Sequence, residues 1–328
     1  MKFSVGLGQR RSETFLDEVI SAADNIGEVY FSYGDYPNGR NSQLMVEGLT
    51  PEEAAEQQQR DLRRLSEAGI SLNVLFNAMC YGKDSQSRVF FEGIGDTVYN
   101  LLSNYKLTAV TTTSLLIAKF IKENFPELDV RASVNMGIGT TEGLEYVQDY
   151  FDSFYAAREC NRDFNRLSIL KDWCENRGKR IYGLANSGCL NFCSAHTFHD
   201  NLVAHEAEIA KMDNGYDFRG VCRDYLSNPK NHAALFENTS FIRPEDLHYF
   251  ENIFSGMKLA TRVHKNPERV LRSYLGGKAS GSALSLLEPD HTGVIYPYIL
   301  ENAKIESRIE NGKLIYDNLS NALIRLED

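Results

Sequence analysis

The sequence predicts an α/β protein: a (β/α)8 TIM-like barrel with a long insertion after strand seven and a C-terminal appendage. Three observations carry this. Short β-rich runs alternate eight times with amphipathic helical runs or long excursions. The run GLGQRRS after the first strand lacks the third glycine of a dinucleotide fingerprint, which counts against an open doubly wound sheet. Polar and sulfur-bearing residues recur where the strands end, the face on which barrels collect function.

The elements follow in order. Residues 2–6 (KFSVG) open as a strand, and residues 12–25 carry Phe15, Val19, Ile20 and Ala23 at helical spacing. Residues 28–33 form strand two. Thr50 and Glu53 make a capping box at the start of a helix that runs to about Ala68. Residues 71–76 are strand three, followed by a helix near 95–104. Strand four is 108–112 with its helix at 114–124, and strand five is 129–134 with its helix at 140–150. Strand six is 153–157 with its helix at 163–176. Strand seven is 180–185, and a long irregular segment follows it. Strand eight is 256–261 with its helix at 267–274. The barrel is expected over residues 1–278, with a cysteine-bearing insertion at about 186–250 and an appendage at 279–328.

The chain has 328 residues, 42% of them hydrophobic and 24% charged, as in an ordinary globular protein. Its 45 acidic and 35 basic residues give a net charge of −10, which argues against a broad nucleic-acid surface. The N-terminus has no signal-peptide pattern, and no stretch approaches the roughly 20 apolar residues of a membrane span. A cytoplasmic location is expected, where the six cysteines are free thiols or metal ligands rather than disulfides.

Cys189-x3-Cys193, followed by Cys222, is the sharpest local signal. Thiolates select zinc or iron–sulfur clusters, and four are usual for a [4Fe–4S] cluster. Cys160 and Cys80, both at strand ends, are the candidates for a fourth place. The same cysteines also read as scattered core residues, and Cys189, Cys193, His196 and His199 read as a zinc site. Cys174, in mid-helix beside Trp173, reads as a small buried hydrophobe. Arg158 and Arg262 end strands six and eight. They suit either a clamp on a carboxylate or phosphate, or rim ion pairs to Glu159 or Asp246. Asn77 and Asn135 suit substrate orientation or helix capping.

Several blocks taken together resemble peptidase family U32, the collagenase-like group. They are DVRASVN (129–135), ARE (157–159), GLANSGC (183–189), CRDY (222–225), SFIRPEDL (240–247) and MKLATR (257–262). In order and spacing they cover residues 107–276, about half the chain. The resemblance implies a barrel whose cysteines after strand seven hold a [4Fe–4S] cluster. It also implies oxygen-independent hydroxylation of ubiquinone precursors or RNA bases, with prephenate implicated as oxygen donor, and pairing with a related barrel subunit.

The expected protein is therefore a cluster-dependent enzyme acting on a small anionic or aromatic substrate. Cys189, Cys193 and Cys222 would hold the cluster with Cys160 or Cys80. Arg158, His199 and Arg262 are the catalytic candidates, and Asn77, Asn135, Arg158 and Arg262 the substrate-binding ones. One alternative is a metal-dependent hydrolase or peptidase, with zinc activating water and His199 or Glu206 as base. Another is a non-catalytic, cluster-bearing partner subunit.

Overall fold

The structure, a computed structural model, describes residues 1–8, 13–39 and 49–326. Eight parallel strands close into one barrel in chain order. They are β1 (Phe3–Gly6), β2 (Ile26–Phe31), β3 (Ser71–Phe76), β4 (Leu107–Thr112), β5 (Asp129–Ala132), β6 (Ser153–Tyr155), β7 (Arg180–Leu184) and β8 (Met257–Leu259). β8 closes the ring by pairing Met257 with Phe3.

Six helices follow the first six strands: α1 (Glu13–Ser21), α2 (Pro51–Glu67), α3 (Arg88–Asn104), α4 (Leu115–Asn124), α5 (Thr141–Val147) and α6 (Phe164–Glu175). Ser12, the expected first residue of α1, lies outside the described residues. Local chemistry sets the helix starts. Thr50 and Glu53 form the anticipated capping box of α2, and Ser87, Ser114, Thr140 and Asp163 cap α3 to α6 through their side chains. The expected helix at 95–104 begins earlier, at Arg88, because Ser87 supplies its cap.

The excursion after β7 carries α7 (His196–Ala204), α8 (Glu206–Ile209), α9 (Val221–Leu226) and α10 (Ala234–Glu237), and α11 (Pro267–Leu275) follows β8. The C-terminal segment is more regular than its sequence suggests. It holds β9 (Tyr298–Leu300), β10 (Glu306–Glu310), β11 (Lys313–Asp317) and β12 (Leu323–Arg325), paired as β10–β11 and β9–β12. It also packs on the barrel: Leu314 N–H donates to Arg162 O at 2.9 Å, and Tyr316 Oη accepts from Arg243 N–H at 2.9 Å.

Alternation along the strands divides the side chains into two sets. Val5, Val29, Phe31, Val74, Phe76, Val110, Val130 and Phe154 sit in the main apolar core. The other set is unusually polar. Glu28 of β2 accepts from Ser4 Oγ and Asn73 Nδ2, each at 3.0 Å, and from Arg131 Nη1 at 2.6 Å. Arg131 also pairs with Asp129 at 2.7 Å and lies over the Tyr182 ring, 3.9 Å from its centroid. Ser4, Glu28, Asn73 and Arg131 are all buried, so the network gains little from water and depends on being internally satisfied. Gly6 makes room for the neighbouring Tyr30 ring of β2. A Cβ there would lie 2.5 Å from the Tyr30 ring.

A cavity of about 780 Å³ opens beside this network, and its lining includes Lys2, Ser4, Glu28, Asp129 and Arg131. Lys2, Ser4, Glu28 and Asp129 lie before or in the first halves of their strands, the end of a barrel that carries stability rather than chemistry. Glu28, Asp129 and Arg131 are already paired with one another.

Candidate active site

At the other mouth a small cavity of about 70 Å³ lies among strand ends. Period-two alternation brings Lys258, Ala260 and Arg262 from β8 and its extension to its wall. Tyr30, Leu75, Asn77, Asn135, Arg158, Ser187 and Glu288 are also part of the lining. Four residues expected from the sequence, Asn77, Asn135, Arg158 and Arg262, thus meet around one space. That space suits a small charged group.

Arg158 is held from two sides. One guanidinium nitrogen donates to Asn135 Oδ1 at 2.9 Å, and the other lies 2.9 Å from Nε2 of His196. Arginine only donates, so that histidine nitrogen is the acceptor. Asp200 places a carboxylate oxygen 3.2 Å from the same Nε2. The rim ion pairs considered for Arg158 are not made. Glu159 accepts from Phe192 N–H at 3.2 Å, and Asp246 lies 3.2 Å from Arg243. Arg262 donates to Ser32 Oγ at the end of β2.

Asn77 and Asn135 do not cap helices. Asn77 Oδ1 accepts from Gly39 N–H at 3.1 Å, and Asn135 Nδ2 donates to Asn77 O at 3.5 Å. Both shape the cavity wall.

Lys258 was not anticipated. Its ammonium nitrogen lies 4.0 Å from the Tyr30 ring centroid and 5.2 Å from that of Tyr155. Burial, followed by repulsion from Arg262, Arg131 and Arg158 and opposed by Glu28, pushes its pKa down to about 7. Its position two alternation steps before Arg262 was the available sequence signal. His196, rather than the catalytic candidate His199, is the histidine that meets Arg158. His199 instead packs against Phe218, with ring centroids 5.4 Å apart. Glu288, from the expected appendage, reaches the cavity because Ser187 and Glu288 form a parallel bridge.

The cysteines divide. Burial raises the Cys222 pKa, and Cys189 and Cys193 add to the rise, so these three thiols are neighbours. Cys160 and Cys80 have other partners. The Cys160 thiol donates to Gly139 O at 3.6 Å, with its pKa raised mainly by burial. Cys80 Sγ accepts from Gly82 N–H at 3.4 Å, and the thiol's pKa is lowered, chiefly by His205. Among the described residues no group of three or more His, Cys, Asp or Glu is arranged to hold a metal ion. Mutual electrostatic influence reaches further than a coordination sphere, so the two observations agree on a loose trio. The residues present do not fit a four-cysteine cluster that includes Cys160 or Cys80. They also do not fit a zinc site of Cys189, Cys193, His196 and His199. Cys174 is buried as expected, and burial pushes its thiol up to about 12.

The fold and site define a (β/α)8 barrel with a cation-lined pocket at the carboxyl ends of its strands. In sequence the chain is similar to an uncharacterized protease, MJ1657, of Methanocaldococcus jannaschii. The two are 24% identical over 251 residues, covering 74% of this chain and 71% of that protein. In fold it is similar to the U32 peptidase Mk0906, with a TM-score of 0.55 and 14% identity, covering 79% of this chain and 91% of that one. No protein-family profile matches the chain. The fold is that of the U32 peptidase barrel. Among the described residues no helix is long and apolar enough to cross a membrane.

Proposed function

We propose that the chain is a hydrolase of peptidase type that acts at this mouth on a small substrate bearing a carboxylate. The observation that carries this reading is Lys258, held near neutrality beside Arg158 and Arg262 in one cavity. The two guanidiniums supply forked donors for a carboxylate. The uncharged fraction of Lys258 takes the proton from an attacking water, a role for which a pKa near the working pH is best suited. The protease name of the sequence relative and the U32 peptidase fold support hydrolysis over a redox reaction.

Short peptides with free and with amidated C-termini test the reading, with released amine as the signal. Hydrolysis of the free-acid peptides, lost in Lys258→Met, is the expected result. Equal cleavage of the amidated peptides, or full activity in Lys258→Met, would overturn it.

A second reading, that the chain binds an iron–sulfur cluster, is favoured by one observation: the neighbouring thiols of Cys189, Cys193 and Cys222. Anaerobic purification with iron and sulfide analysis tests it. Stoichiometric iron and sulfide support the cluster, and an iron-free protein ends it.

A further inference from the structure

We propose that Glu288 makes the axial cavity selective for dipeptides with a free amine and a free carboxylate, by holding the substrate's ammonium while Arg158 and Arg262 hold its carboxylate. The assignment rests on the hydrolase function proposed above and names its substrate class. Among the described residues that line the cavity, Glu288 is the only acidic one, and it shares the space with Arg158, Lys258 and Arg262.

The backbone of Glu288 is fixed on both sides. Its N–H donates to Asn186 O, and its carbonyl accepts from Gly188 N–H, each at 2.9 Å, within the parallel bridge between Ser187 and Glu288. Asn186 is fully buried. Its side-chain amide donates to Leu286 O at 2.8 Å and to Ala260 O at 3.1 Å, and its Oδ1 accepts from Ala260 N–H at 2.6 Å. One side chain thus ties the segment that carries Glu288 to the extension of β8 that carries Arg262. His291 donates from Nε2 to Gly188 O at 2.9 Å and holds the residues that follow. Gly188 permits the close approach, because a Cβ there would lie 2.3 Å from Pro289 O. A side chain on so constrained a backbone is suited to recognition.

The order of the ring places the charges. β6, β7 and β8 are consecutive. Arg158 follows β6, Glu288 is bridged to the residues after β7, and Arg262 follows β8. Glu288 therefore stands on the arc between the two arginines. A cavity lined by cations alone would accept any small anion. The carboxylate adds a demand for positive charge elsewhere on the ligand. It offers about four acceptor positions, so it takes an ammonium along with the contacts Glu288 already makes.

The volume sets the length. About 70 Å³ leaves no room for several residues between the two charged ends. In a dipeptide the only peptide bond between the held ends is the scissile one. Hydrolysis joins the water oxygen to its carbonyl carbon as the carbon–nitrogen bond breaks, and the proton that Lys258 takes from water passes to the leaving amine.

The test uses the full chain with L-alanyl-L-alanine, its N-acetyl form and trialanine. Released amine reads hydrolysis, and calorimetry reads binding. Wild type is expected to cleave the dipeptide with a kcat/KM at least about tenfold above that of the other two. Glu288→Gln keeps the shape and removes the charge. It is expected to bring the dipeptide and its N-acetyl form within about threefold of each other, chiefly by raising KM for the dipeptide. Glu288→Asp is expected to keep part of the preference. Equal cleavage of the dipeptide and its N-acetyl form, or a preference that survives in Glu288→Gln, would overturn the role of Glu288 and leave hydrolysis standing. Binding of the dipeptide without cleavage, with the preference lost in Glu288→Gln, would support Glu288 and overturn the hydrolase function. Neither binding nor cleavage of any of the three peptides would overturn both.

Discussion

Arg158 and His196 meet at 2.9 Å across the barrel mouth, with the arginine donating to Nε2 of the ring. Together with Asn135 on the other guanidinium nitrogen, this fixes the plane of the one arginine placed to present a fork to the axial cavity by strand six. His196→Phe and Asn135→Ala are each expected to raise KM for a carboxylate substrate by about tenfold, with a smaller effect on kcat. About 1.4 kcal/mol of binding is lost when the fork is no longer pre-oriented. Steady-state kinetics on the free-acid peptides check this.

Lys258 links the site to stability. Its folded pKa, about 7, lies well below the ordinary lysine value, so between those two values the unfolded chain binds the extra proton. The sign follows directly. The charged lysine is a liability of the fold at low pH, and the liability fades as pH rises above about 7. Between pH 7.5 and 9 wild-type stability should gain a contribution with a slope of up to ~1.4 kcal/mol per pH unit, which Lys258→Met lacks. Urea unfolding of both proteins across this range measures the difference. Parallel curves would refute the assignment.

Glu28 and Arg131 are the load shared across the polar interior. Glu28→Leu strands a buried guanidinium that Asp129 only partly balances, and a loss of about 3 kcal/mol is expected. The double variant Glu28→Leu/Arg131→Met removes both charges and should recover part of that loss, because Asp129 keeps Arg180 at 3.1 Å. A double-mutant cycle by chemical denaturation reads the coupling.

The thiols should separate by reactivity. Cys160 and Cys174 are buried with raised pKa values, and are expected to stay unmodified by a disulfide reagent until the chain unfolds. Rapid native labelling of Cys174 would show that α6 packs differently from this structure. Intact-mass analysis before and after denaturation distinguishes the two outcomes.

Much of the barrel was legible because its signals are local. Period-two runs such as SLNVLF gave β3 to the residue, and the Thr50–Glu53 pair gave the start of α2. The ends of the short strands were less legible. β8 was expected over residues 256–261, yet regular pairing covers only Met257–Leu259, because its neighbours β1 and β7 offer partners only there. Asn77, Asn135, Arg158 and Arg262 were found because strand ends point to one face. His199 was preferred to His196 because spacing along α7 does not say which turn faces Arg158.

The sequence by itself determined the barrel, the face that gathers function, and the four polar residues on it. Only the tertiary structure decided that Lys258 sits near neutral among arginines, that Glu288 returns from the C-terminal segment, and that His196 meets Arg158. The physical reason is one of range. Strand alternation and helix capping act between residues a few positions apart, whereas a pKa or a hydrogen bond across the mouth depends on which distant segments the closed ring brings together.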